Sequence, residues 1–119
     1  NLYKIHFIIY NMTISILYDK GDNYQLTENG PELRKNKGKG LVLSTLLNSD
    51  FGFPLDQIKK ISGWNKPRNQ MREFKNQFNA YMDGSLEIVE RDIDGTPSYI
   101  MICAKGHTKN DFLSIDDKF

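Results

Sequence analysis

Four cationic side chains lie close together in a segment whose residue spacing is helical. From Lys66 to Lys75 the only acidic residue is Glu73, so nearby acids do not balance this positive charge. At about 100° per residue, one arc of roughly 60° holds Arg68, Arg72, Lys75 and Asn79. A second arc, centred about 110° away, is apolar and holds Met71, Phe74, Phe78 and Tyr81. Such a helix can dock its rings on a core and present its cations outward.

These residue types suit contact with nucleic acid. An arginine fork can bind guanine O6 and N7, an amide side chain suits adenine, and a cation can neutralise a phosphate. We therefore predict base or phosphate contacts by Arg68, Asn69 and Arg72. Phosphate positioning is expected from Lys75 and Asn79. The alternative is a basic surface helix whose charges pair with acids elsewhere in the fold.

Further phosphate contacts are predicted outside this arc. Lys66 precedes the helix, whose N-terminus itself favours anions. Arg91 is the cation closest to the turn of the C-terminal hairpin. Lys37 and Lys39 lie in a glycine-rich basic stretch, Lys35–Gly40, which lacks the spacing of a phosphate-binding loop. That stretch is interpreted either as a flexible approach to the next helix or as a second phosphate contact.

No group of residues has the spacing of a catalytic or metal site. The two histidines, His6 and His107, lie in flanking segments, and no His/Cys group has zinc spacing. Asp92–Gly95 has the first acids of a calcium loop without the later ligands, so it predicts a turn. The single cysteine, Cys103, lies in an apolar run and is expected to be a small buried hydrophobe. We predict no enzymatic activity, no metal and no cofactor.

Turn signals divide the N-terminal part of the chain into short strands. Ile14–Tyr18, Asn23–Thr27 and Pro31–Lys35 are expected to form an antiparallel meander, and Asn29-Gly30 is a strong hairpin signal. Leu41–Leu47 is apolar on nearly all sides, which predicts a buried first helix.

The remaining elements follow from proline, glycine and β-branched residues. Pro54 opens a second helix, Leu55–Ser62, and Gly63 ends it. Pro67 begins the third, basic helix. Ser85–Cys103 reads as a β-hairpin with a two-residue type I′ turn at Asp94-Gly95.

This order of elements resembles the effector domain of OmpR/PhoB-type response regulators, over roughly Ile14–Ala104. In that family the second helix ends near a tryptophan, as at Trp64, and the hairpin carries a Gly-x-Gly-Tyr-like signature, matched in part by Gly95–Tyr99. The apolar spacing of the family's recognition helix is similar to that of Met71, Phe74 and Phe78, with Lys75 among them.

The resemblance implies an α+β fold, the winged helix-turn-helix. That fold has three helices, an N-terminal antiparallel meander and a C-terminal β-hairpin wing. It also implies a cytoplasmic, sequence-specific duplex DNA-binding regulator of transcription whose third helix enters the major groove. A homodimer or tandem pair and contact with the transcription machinery stay open. The chain departs from the family in three places. Its first helix lacks the Leu-Thr-x-x-Glu entry, the loop Gly63–Lys66 is short, and no receiver domain is expected within these 119 residues.

Length and charge limit these interpretations. The chain has 119 residues, enough for one domain, and a net charge of only +1, so any nucleic-acid site must be a local patch. Residues 1–13 are interpreted as a leader or a first strand, 14–104 as the winged-helix domain, and 105–119 as a polar, partly mobile tail. With no signal peptide, membrane span or disulfide framework, we expect a cytoplasmic protein without membrane contact.

The hairpin supports a second hypothesis. It carries four acids, Glu87, Glu90, Asp92 and Asp94, around its single cation. Acids repel DNA phosphates, so this hairpin could instead meet a basic protein surface. The alternative function is a winged-helix protein-interaction module, such as a phage, plasmid or host accessory factor, that does not bind DNA.

Overall fold

Residues 14–115 of the computed structural model form an α+β architecture of short strands and three α-helices. The strands are β1 (Leu17–Asp19), β2 (Asn23–Leu26), β3 (Glu32–Arg34), β4 (Phe53–Pro54), β5 (Leu86–Ile93), β6 (Thr96–Cys103) and β7 (Leu113–Ile115). The helices are α1 (Gly38–Leu47), α2 (Leu55–Ser62) and α3 (Pro67–Met82), and a 3-10 helix (Lys109–Phe112) precedes β7. The structure describes only these residues, so the leader or strand expected in residues 1–13 lies outside it.

The first sheet has the strand order β3-β2-β1-β7. Strands β1, β2 and β3 are antiparallel neighbours, which confirms the predicted meander. The fourth strand comes from the other end of the chain: β7 lies parallel to β1, with Leu113 opposite Leu17. The folded unit therefore extends beyond residue 104, where the sequence placed its end. Phe112, which is 3% exposed, holds this extension on the core.

The turn between β2 and β3 differs from a two-residue Asn-Gly turn. It spans Thr27–Gly30, and Thr27, not Asn29, adopts positive φ (62°). The backbone N–H of Leu26 donates to the Pro31 carbonyl at 3.1 Å to close the loop. Gly30 is needed for close packing, because a Cβ there would lie 1.7 Å from the Leu26 carbonyl oxygen.

The second sheet has the order β4-β6-β5. Strands β5 and β6 form the predicted hairpin, with Ile93 opposite Thr96. Asp94 (φ 51°) and Gly95 (φ 82°) both have positive φ, as a type I′ turn requires. The two-residue strand β4, which was not predicted, adds a third strand by pairing Phe53 with Tyr99.

The predicted start of α1 was wrong by one turn. The helix begins at Gly38 and not at Leu41, so half of the glycine-rich stretch is helical. A Cβ on Gly40 would lie 1.7 Å from the carbonyl oxygen of Arg34. The stretch is thus a close contact between the start of α1 and the end of β3, and not a flexible approach. The bounds of α2 and α3 agree with the sequence, and Gly63 ends α2 with φ 72°.

One cluster of buried side chains joins both sheets to the helices. It includes Leu17 and Leu26 of the first sheet, Ile88 and Tyr99 of the second, and Ile58 of α2. From α1 it takes Val42, Leu43 and Leu46, and from α3 Met71, Phe74, Phe78 and Met82. This core fixes how each helix is rotated about its own axis.

Candidate nucleic-acid interface

Helix α3 is held by an apolar stripe along its whole length. Met71, Phe74, Phe78 and Met82 are each 0% exposed, and the rings of Phe74 and Phe78 lie 6.0 Å apart. Tyr81, which was expected in the stripe, is 39% exposed, and Met82 is buried in its place. Residues 74, 78 and 82 follow a spacing of four, which turns the end of the stripe away from position 81.

Three predicted contact residues lie on the exposed part of α3. Arg68, Asn69 and Arg72 are all exposed to solvent. Within residues 14–115 Lys35 pairs with Asp19 and the His107 ring contacts Asp111, and neither contact involves the two arginines. The charges of Arg68 and Arg72 are therefore not neutralised by an ion pair inside the described part of the chain.

Asn79 has a different role from the predicted phosphate contact. Its side-chain Nδ2 donates to the Ile88 carbonyl oxygen at 3.0 Å, and the Ile88 N–H donates to its Oδ1 at 2.8 Å. The residue thus clamps α3 to the outer edge of β5, and its amide is already engaged. Lys75, one turn earlier, is half-buried.

The two lysines of the glycine-rich stretch do not extend the basic arc. Lys39 Nζ donates to Gln77 Oε1 at 3.1 Å. Gln77 lies about 180° around α3 from Arg68, at about 100° per residue. Lys39 therefore lies on the side of α3 opposite Arg68. Lys37 is exposed immediately before the start of α1.

The beginning of α3 combines a free charge with a positive helix end. Lys66 is exposed immediately before the helix, and its backbone N–H donates to Gln70 Oε1 at 2.9 Å. Pro67 occupies the first turn, which contains no acidic residue. The partial positive charge of the helix N-terminus is therefore not neutralised within that turn.

The hairpin places an acid on the same side as the helices. Tyr99 Oη donates to Glu90 Oε1 at 2.6 Å. Burial raises the pKa of Tyr99 to about 12, with further contributions from the hydrogen bond and the charge of Glu90. The charges of Arg68 and Arg72 act on the same hydroxyl and lower its pKa. Both arginines are therefore within electrostatic reach of the Glu90–Tyr99 pair.

Arg91 does not share this environment. It follows Glu90 on β5, and successive side chains of a strand point to opposite faces. Because Ile88 and Tyr99 on the Glu90 face are buried in the core, Arg91 lies on the face directed away from the helices. It is exposed, but it does not add to the surface formed by Arg68 and Arg72.

Asn76 is a further exposed amide on α3, outside the predicted set of contact residues. It lies one turn after Arg72 and two turns after Asn69, so the three share the outward side of the helix. The same helical spacing could have found it. Together they present one arginine fork and two amides, which can make bidentate contacts with base edges.

Other kinds of site find little support in the described residues. Between residues 14 and 115 no group of three or more His, Cys, Asp or Glu side chains could hold a metal ion. None of the helices in that range has the length and apolar character to cross a bilayer. Cys103 is half-buried and its Sγ donates to the His107 carbonyl at 3.0 Å.

Comparison of the chain with models of protein families, with curated proteins and with solved structures finds no match.

Proposed function

We propose that the protein is a winged helix-turn-helix regulator of transcription that binds duplex DNA sequence-specifically in the cytoplasm, with α3 in the major groove. The observation that carries this proposal is the exposure of Arg68, Asn69 and Arg72 on a helix whose opposite side is fully buried. A rigidly held helix with free forks and amides has the properties of a recognition helix.

The arrangement of elements supports the same proposal. Helices α2 and α3 are separated by the short turn Gly63–Lys66, and a hairpin follows α3 directly. Strand β4, between α1 and α2, pairs with β6 of that hairpin and completes a three-stranded sheet. This order agrees with a helix-turn-helix with one wing, in an OmpR/PhoB-like arrangement.

In this proposal the polar residues of α3 have different roles according to their position on the helix. Arg68, Asn69, Arg72 and Asn76 read base edges or bind phosphates along the groove. Lys66 and the start of α3 hold one phosphate. The amide of Asn79 holds the helix on the hairpin. A homodimer or tandem pair on adjacent half-sites would add affinity without new contacts in each copy.

Replacing Arg72 with alanine tests the proposal. The variant should weaken duplex binding by about 1–3 kcal/mol, or roughly 5- to 150-fold, if the arginine contacts a guanine. Fluorescence anisotropy with a duplex selected from a random library measures the change. Because Arg72 is exposed and outside the core, the thermal midpoint should stay the same.

Lys105→Ala is the matched control. Lys105 is an exposed cation just after β6, at the end of the hairpin opposite its turn. It also removes one positive charge, but away from α3, so it should change affinity much less than Arg72→Ala. Equal losses in both variants would show that only net charge matters and would contradict recognition by α3.

An acidic and apolar patch supports the alternative, a protein-interaction module. Phe51 is 81% exposed and Ile93 43% exposed. The two belong to adjoining segments, since a Cβ on Gly52 would lie 2.4 Å from Ile93 Cδ1. Asp50 and Asp94 are exposed next to them in sequence. If neither a selected nor a random duplex binds at low salt, this patch and a basic protein partner become the better explanation.

A further inference from the structure

Glu90 occupies a distinctive place among the acids of the hairpin. On β5 it alternates with Ile88, which is 1% exposed, and it lies opposite Tyr99 of β6, which is 0% exposed. Its side chain is therefore on the face that carries the core, and the hydroxyl of Tyr99 holds its carboxylate at 2.6 Å. The acid is exposed, yet it is fixed in position by a buried residue.

The clamp at Asn79 joins the arginine arc of α3 to the strand that carries this acid. Asn79 lies in the same arc of α3 as Arg68 and Arg72, and its amide meets the edge of β5 at Ile88. The arginine side of α3 thus faces the hairpin edge. Glu90 follows Ile88 toward the hairpin turn. Arg72 precedes Asn79 by two helical turns. The electrostatic effect of both arginines on Tyr99 agrees with this placement.

The fixed carboxylate of Glu90 is bonded to a hydroxyl on which both arginine charges act, and such an acid affects different DNA complexes unequally. Binding to arbitrary DNA consists almost entirely of attraction between cations and phosphates. Binding to a specific site adds hydrogen bonds from arginine forks to base edges. On arbitrary DNA the forks contact charged phosphates, and an acid near them weakens that attraction. On a specific site the forks contact base edges, which carry no net charge, so the same acid weakens those contacts less. Such a repulsive element raises the ratio of specific to non-specific affinity.

We propose that Glu90, held by the Tyr99 hydroxyl, is a specificity-determining residue that restrains phosphate contact by Arg68 and Arg72 and so suppresses binding to arbitrary DNA. This inference rests on the proposed DNA-binding function. It gives the acidic hairpin a role in DNA binding, although negative charge near phosphates by itself opposes that binding.

The test compares Glu90→Gln with Asp94→Asn. Both remove one negative charge from the hairpin, and glutamine keeps an oxygen that can accept the Tyr99 hydrogen bond. Asp94 lies in the turn, at positive φ, which asparagine tolerates. The probes are a mixed-sequence duplex and the best duplex selected from a random library with the wild-type protein. Anisotropy gives the affinity for each, and thermal melts verify that each variant is folded.

Glu90→Gln should bind the mixed-sequence duplex about fivefold more tightly than wild type, the size expected for one charge interaction near a surface. Its ratio of selected to mixed affinity should fall by a similar factor, whereas Asp94→Asn changes the ratio little. Equal effects of the two variants, or an unchanged ratio in Glu90→Gln, would overturn the role of Glu90 while leaving DNA binding intact. Absence of binding by the wild type and both variants at low salt would overturn both proposals.

Discussion

At the scale of single residues, Tyr99 links the stability of the fold to the surface of the hairpin. Its ring is 0% exposed and its hydroxyl donates to the carboxylate of Glu90. Burial and that carboxylate both favour the protonated phenol, so the pKa of Tyr99 rises from its ordinary 10.0 to about 12. Arg68 and Arg72 lower it, but they do not reverse the shift.

This shift predicts a loss of stability at alkaline pH. Below pH 10 the phenol is protonated in both the folded and the unfolded chain, and the stabilisation is complete. Between pH 10 and about 12 the unfolded tyrosine releases its proton while the folded one keeps it. The free energy of unfolding must therefore fall as the pH rises through this range.

Urea denaturation of the wild type and of Tyr99→Phe, at several pH values from 7 upward, measures this loss. Phenylalanine cannot ionise, so the variant should lose less stability above pH 10 than the wild type. The difference between the two proteins removes the effect of the other tyrosines and of the lysines. Parallel curves up to pH 12 would contradict the placement of Tyr99 in a buried, acid-facing environment.

The sequence could predict that Arg68 and Arg72 of α3 are exposed, but not what other polar residues of the helix contact. Helical spacing separates Arg68 and Arg72 from the apolar stripe, because it depends only on the geometry of the helix. The partners of Asn79 and Lys39 come from Ile88 and Gln77, in other elements. No spacing within a helix reveals such a neighbour, so the sequence alone predicts phosphate contacts for both residues.

At the scale of elements, the junction of α3 with β5 determines how the candidate interface is presented. The apolar stripe fixes the rotation of α3, and the two hydrogen bonds of Asn79 fix the position of β5 beside it. An edge strand otherwise leaves its backbone groups open to solvent or to another chain. The Asn79 amide satisfies the Ile88 backbone at that edge.

Asn79→Ala should destabilise the domain by about 1–3 kcal/mol, because it leaves the half-buried backbone groups of Ile88 without partners. Thermal or urea unfolding measures the change. The matched control is Asn76→Ala, an exposed asparagine of the same helix, which should be neutral or slightly stabilising because alanine favours the helix. If the two variants are equally stable, the clamp does not hold the elements together.

Some element boundaries follow from local chemistry, and others do not. Pro67 and Gly63 mark the start of α3 and the end of α2, because their φ preferences act within one or two residues. The start of α1 at Gly38 and the turn Thr27–Gly30 depend on close approach to Arg34 and Leu26. Those contacts belong to the tertiary structure and leave no room for a Cβ atom at Gly30 and Gly40. The sequence alone indicates only that a glycine-rich stretch is flexible.

At the scale of the whole molecule, the two ends of the described chain meet in one sheet. Strand β7 lies parallel to β1, and Phe112 beside it is buried among the core residues. The ring of His107 lies 5.2 Å from that of Phe112. The polar composition after Cys103 concealed this strand, since one phenylalanine and a three-residue strand give almost no periodic signal.

Phe112→Ala should reduce the free energy of unfolding by about 3–5 kcal/mol, as expected for a large buried ring. Urea denaturation measures this loss when the m-value, the dependence of the free energy of unfolding on urea concentration, is the same in the variant and the wild type. Phe51→Ala is the control, because Phe51 is 81% exposed and its removal should change stability by less than about 0.5 kcal/mol. Similar values for the two variants would show that the segment after β6 does not belong to the folded unit.

The dependence of duplex binding on salt tests the central claim most directly. Affinity of the wild-type protein for the selected duplex is measured by anisotropy over a range of salt concentrations. Contact with about four to six phosphates predicts a log–log slope near −4 to −5, and Lys66→Ala, which removes a proposed phosphate contact, should make the slope shallower by about one. A slope near zero, or no binding at the lowest salt, would contradict a DNA-binding surface on α3.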